Sequence, residues 1–200
     1  ECWFRPIKAR RDKPETLVSR WQTIGAQKGF ALQITPEGKL DFLVSKDGAV
    51  TIHHYGESTL IEGQWVHAAA IDTGEDLRLH VNGFLDSDPT PFKGPIHQAA
   101  NPIYVGALIQ NRLDEYFEGV IDEVAFYNRS LSETETLTHF GNPSGLAALW
   151  HLNERAGVLA DSSGYGHNLF TKGNPSYEIQ GRLGTAIHFK EGQVLESPAS

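Results

Sequence analysis

Asp122 and Glu123 stand side by side in the stretch Gly119-Val120-Ile121-Asp122-Glu123-Val124-Ala125-Phe126-Tyr127. Alternation predicts a strand in which Val120, Asp122, Val124 and Phe126 share one face, and Ile121, Glu123, Ala125 and Tyr127 the other. Whichever face packs inward therefore carries a carboxylate. Burying that group unpaired is too costly, so it must meet a cation or several N–H donors. A calcium ion would satisfy it, drawing on about six to eight oxygens. Asp161, in the loop Asp161-Ser162-Ser163-Gly164, is the natural second ligand, with Asn168 or loop carbonyls completing the shell. The competing expectation is an Asx-turn at Asp161, with Asp122 or Glu123 paired to Arg or backbone.

Aromatic rings offer a second kind of chemistry, since apolar sugar faces stack on exposed rings while Asp, Asn, Gln or Arg fix the hydroxyls. Trp21 follows Ser19-Arg20 and precedes a Gly-containing turn, where a large ring can stay partly exposed. Tyr55 follows His53-His54, and Tyr116 lies near Asn111-Arg112. Trp21, Tyr55, Tyr116 and Arg112 are the candidate ligand-binding residues. Trp3, Trp65 and Trp150 sit within strand patterns and read as core. The nine His residues show no His-Glu-x-x-His pattern. Neither a Gly-x-Ser-x-Gly elbow nor a P-loop occurs.

The elements that must hold these groups are strands. Phe30, Leu32 and Ile34 alternate with Ala31 and Gln33, and Leu77, Leu79 and Val81 alternate with Arg78, His80 and Asn82. Both are patterns of half-buried antiparallel strands. Turns punctuate them, and Asn82-Gly83 suits a two-residue hairpin whose central positions need positive φ. The Pro-rich stretch 86–102 reads as a loop. One helix is expected, opened by the Ser132/Glu135 capping box and stopped by Gly141-Asn142-Pro143. Pro143–Gly145 is the candidate boundary. Short strands, spaced turns and one short helix predict an all-β, two-sheet antiparallel sandwich.

A net charge of −8 and a pI near 5.5 argue against a phosphate-binding surface, so no nucleic-acid partner is expected. The basic cluster Arg5, Lys8, Arg10, Arg11 and Lys13 reads as a solvated loop. Cys2 is the single cysteine, which rules out an intrachain disulfide, and it reads as a small buried hydrophobe. No run approaches the roughly 20 apolar residues of a membrane span, so no membrane insertion is expected.

Five stretches together resemble the laminin G-like jelly-roll family of the concanavalin A-like lectin and glucanase superfamily. They are Glu1 through Pro6, Gln64 through Ala69, Leu79 through Gly83, Gly119 through Ser132, and Gly145 through Phe189, the last with its Trp-x-Leu, Asp-Ser-Ser-Gly and Gly-Arg-x-Gly-x-Ala elements. The order departs from the family. Residues 145–200 are similar to the family's N-terminal third and 1–142 to its C-terminal two-thirds, so the expectation is one sandwich over 1–200 in circularly permuted order. Two partial repeats are the alternative. The resemblance implies a structural calcium near a strand end, and a secreted or cell-surface location. It also implies a non-catalytic module of a larger protein that recognises a glycan or a protein surface. A purely structural or adhesive role is the first alternative. The second is a glycoside hydrolase, against which no Glu-x-Asp-x-Glu spacing occurs.

Overall fold

The structure is a computed structural model. It describes every residue except 9, 140–147, 155, 156, 163–166, 183, 199 and 200, together with the side chain of residue 178. The helix stop at 141–143 and the candidate boundary at 143–145 lie outside the described residues.

Seven longer strands open the chain: β1 (Cys2–Pro6), β2 (Glu15–Gln22), β3 (Gln27–Ile34), β4 (Leu40–Val44), β5 (Ile52–Tyr55), β6 (Val66–Asp72) and β7 (Asp76–Val81). They divide between two antiparallel sheets. In the first, the order is Ser176–Gln180, Thr185–Phe189, Gly119–Asp122, β1, β6, β7, Phe84–Leu85. In the second, it is Val158–Leu159, Leu169–Lys172, Val194–Glu196, Tyr104–Val105, β2, β3, β4, β5. The expected all-β sandwich is what forms. Strands after residue 148 lie within the same ladders as earlier ones, with Ile187 opposite Ile121, Leu195 opposite Val105 and Trp150 opposite Val124.

Alternation drives this layout. Along β4, Leu40, Phe42 and Val44 point into the core while Asp41 and Leu43 point away. The core joins Leu17, Ile34, Leu40 and Phe42 of the second sheet to Phe4, Leu77, Leu79, Ile121 and Phe189 of the first. Each such side chain contributes about 1.5–3 kcal/mol on full burial. Cys2 is fully buried, which pushes its thiol up to about 12. Asn82 and Gly83 take φ 52° and 84° and join Val81 to its partner Phe84. The capping box forms at the start of α1 (Glu133–His139): Ser132 N and Oγ both donate to Glu135 Oε2, and Glu135 N donates to Ser132 Oγ.

Two features depart from simple alternation. Glu123 adopts φ 48°, which splits 119–126 into two strands with different partners and breaks the expected shared faces. The outer face of the second sheet is also not simply solvated. A hairpin, Leu108–Ile109 with Leu113–Asp114, folds against β2 through the parallel pair Ile109 and Gln22. It covers Trp21, Ala31 and Leu43 with Leu108.

Candidate functional site in a polar cleft on the outer sheet face

Strand register builds a row of side chains across that outer face. Thr16 of β2 stands opposite Gln33 of β3, Gln33 opposite Asp41 of β4, and Asp41 opposite Tyr55 of β5. The neighbouring row runs Ser19, Ala31, Leu43, His53. At the β2 end the isolated bridge between Thr16 and Tyr116 brings Glu115 alongside. Glu115 N is bonded to Asp114 Oδ1 at 2.7 Å, and its backbone is held at φ 50°, a left-handed value uncommon for a residue with a Cβ. The result is a cleft of about 320 Å³, lined by Gln33, Asp41, His53, Tyr55 and Glu115, with Pro14, Thr35, Pro36, Glu37 and Leu43 around them.

Two carboxylates are sunk into it. Asp41 is 5% exposed; His53 Nδ1 lies 2.8 Å from its Oδ2, and its Oδ1 is buried with no hydrogen-bond partner. Burial lifts the Asp41 carboxyl to about 6, against the pull of His53. Burial also raises Glu115, although the side-chain amides of Gln33 and Gln110 both donate to it. Gln33 Nε2 also reaches Thr16 Oγ1 at 2.9 Å. At the β5 end of the row, Tyr55 is 55% exposed, and its ring stacks on His53 at 5.3 Å and 9°. A stiffly supported aromatic plane therefore stands beside fixed polar atoms. That arrangement can stack an apolar ring face while accepting hydrogen bonds from hydroxyl or amino groups.

The sequence candidates fare unequally. Tyr55 lines the cleft. Trp21 does not: the 108–114 hairpin and the Lys28 ammonium, 5.7 Å above the ring, leave it 4% exposed. Arg112 sits exposed at the hairpin turn, its carbonyl accepting from Gln110 N, and it does not line the cleft. Tyr116 faces a separate hollow of about 340 Å³ among Lys8, Arg10, Arg11 and Lys13. Acids offset that basic cluster, since Lys8 pairs with Glu118, Lys13 with Asp114 and Arg11 with Glu15. Asp41, His53, Gln33 and Glu115 are not among the residues that the sequence marks for binding. The one available signal is a carboxylate inside the apolar strand Leu40-Asp41-Phe42-Leu43-Val44.

Asp122, Asp161 and Asn168 are committed to backbone. Asp122 is fully buried and accepts from Glu123 N at 3.0 Å and Arg182 N at 2.9 Å. Asp161 accepts from Leu149 N at 3.0 Å and His167 N at 2.9 Å, and its own N–H donates to Asn168 Oδ1 at 2.9 Å. Among the described residues there is no group of three or more His, Cys, Asp or Glu suited to a metal ion. These N–H donors already answer the buried charge that would otherwise call for a cation, as the Asx-type alternative expects. Ser163 through Gly166 of that loop lie outside the described residues.

A larger cleft of about 460 Å³ opens between the sheets, with walls that include Phe30, Leu32, Phe42, Ala70, Ile96 and Phe126. The larger cleft also has a buried carboxylate oxygen without a hydrogen bond, Glu1 Oε2, 3.5 Å from His67 Nε2. What distinguishes the smaller one is the exposed Tyr55 ring beside such an oxygen.

Comparison with known proteins agrees with this architecture. A crystal structure of a proposed carbohydrate binding protein from Bacteroides ovatus ATCC 8483 matches with TM-score 0.65 and 14% identity, covering 100% of this chain and 53% of that one. The present chain thus spans about half of that neighbour's length. A heptameric SAP-like pentraxin from Limulus polyphemus matches with TM-score 0.53 and 14% identity, covering 70% of this chain and 67% of that one. At such identities these likenesses bear on fold alone. No curated protein matches the sequence. The laminin G pattern described as the concanavalin A-like lectin/glucanases superfamily matches residues 1–136, and the chain belongs to that family.

Proposed function

We propose that this chain is a non-catalytic glycan-binding module whose binding face is the outer surface of β3 to β5, bounded on the β2 side by Glu115. The observation that carries this reading is the exposed Tyr55 ring stacked on His53 in the same cleft as the half-partnered carboxylate of Asp41. Resemblance adds support, because the Bacteroides neighbour is itself a proposed carbohydrate binding protein. The non-catalytic part rests on the sequence, which lacks the Glu-x-Asp-x-Glu spacing by which glucanases of the superfamily present their two carboxylates.

The module would belong to a longer secreted or cell-surface protein, in keeping with the family and with a neighbour about twice its length. The recut order of the family pattern is part of the same proposal, supported by the pairing of 185–189 and 194–196 with earlier strands. Deleting residues 145–200 should then abolish cooperative unfolding rather than leave a stable sandwich. A glycan array tests the binding claim. Retention by the wild type, lost in Tyr55→Ala at a nearly unchanged melting temperature and in His53→Ala at a lowered one, is the expected result. Retention undiminished in both variants would contradict it.

A further inference from the structure

The cleft is rich in acceptors and short of positive charge. Glu37, Asp41 and Glu115 all line it, and among the described residues its lining contains no Lys or Arg. The Gln33 side-chain amide already donates to Thr16 and Glu115. The Asp41 Oδ1 atom has burial but no donor. Such an oxygen sets two requirements on a ligand: it should bring N–H or O–H donors, and it gains most if they are cationic, because charge-assisted bonds are the stronger ones. The exposed Tyr55 face supplies a second attraction for an ammonium, through the ring quadrupole. Uronate or sulfated sugars would instead confront three carboxylates.

We infer that the cleft selects glycans bearing a free primary amine, such as 2-amino-2-deoxy hexose units, with the ammonium against Asp41 and the sugar ring on Tyr55. This rests on the glycan-binding reading above and narrows its ligand class. Burial raises both Asp41 and Glu115, and a cation placed beside either would favour its charged form. Glu37 lies at the exposed rim, where Arg10 and Lys39 act on it.

Calorimetric titration of the full chain near neutral pH, with three oligosaccharides of matched length, tests the inference. One carries free amines, one is its fully N-acetylated form, and one is a neutral gluco-oligosaccharide. The amine form should bind about tenfold or more tighter than either of the others. In Asp41→Asn that preference should shrink to roughly twofold or less. In Glu62→Gln, which removes an exposed charge outside the cleft, it should persist. Equal binding of all three sugars overturns the inference and leaves the glycan site standing. A preference that survives in Asp41→Asn also overturns it, assigning the effect to the overall charge of −8. Binding of none of them sinks the glycan reading and the inference together. Acetylating the ligand removes the same charge pair from the other side, so the test holds even if Asp41→Asn fails to fold.

Discussion

Asp122 and Asp41 are both aspartates buried in strands of one sandwich, and they are treated in opposite ways. Asp122, fully buried, has a backbone N–H on each oxygen, from Glu123 and from Arg182. Gly181 makes room for it, since a Cβ there would stand 2.6 Å from Asp122 Oδ2. Asp41, 5% exposed, has His53 on one oxygen and nothing on the other. The first arrangement ties the 181–182 turn to the strand that ends at Asp122. The second leaves hydrogen-bonding capacity unspent at the edge of a cleft. A buried carboxylate is thus not by itself a site; an unspent one beside an exposed ring is a candidate.

The largest effect expected from breaking this contrast is at Asp122. Asp122→Ala leaves two part-buried N–H groups without acceptors and should cost about 2–4 kcal/mol. A thermal melt checks it, and a loss below about 1 kcal/mol would make the two aspartates alike. Asp41→Asn should move stability the other way. The unfolded chain releases the Asp41 proton near the ordinary value of 3.8, while the folded chain holds it to about 6. Stability is therefore full below 3.8 and lost as pH rises through 6. Replacing the carboxyl by an amide removes that loss, so the variant should be more stable by on the order of 1–3 kcal/mol at pH 7, with the gain vanishing in acid. Denaturant melts across pH read it, and destabilisation at neutral pH would show that Asp41 is structural.

Smaller stability effects sharpen the picture. Tyr55→Ala, at a half-exposed position, should change stability by about 0.5 kcal/mol or less while weakening sugar binding. Excess EGTA should leave the melting curve unmoved, because Asp122 and Asp161 already spend their oxygens on N–H groups. A large drop in melting temperature would return calcium to that loop.

Much of the framework was legible because it is local. Alternation along β3 and β7, the Asn82-Gly83 turn and the Ser132/Glu135 cap each depend on residues a few positions apart. The buried charge in 119–126 was also legible, since either face carries a carboxylate, although the break at Glu123 was not. What escaped is nonlocal. Trp21 looks exposable until Leu108 and its hairpin fold across it, and Gln33 looks solvated until Glu115 arrives from 82 residues away. Asp41 reads as an ordinary outward polar residue unless both neighbouring strands and their register are known. His53 acquires meaning only as the partner of Asp41 and the support of Tyr55.

The central claim is that sugar binds on the outer face of β3 to β5. Two-dimensional amide NMR of the labelled chain, titrated with the tightest-binding oligosaccharide, locates the ligand directly. Shifts should cluster at residues 33, 41–43, 53–55 and 114–116, and should vanish in Tyr55→Ala. Shifts gathered instead at Phe30, Ala70, Ile96 and Phe126, in the cleft between the sheets, would contradict the account.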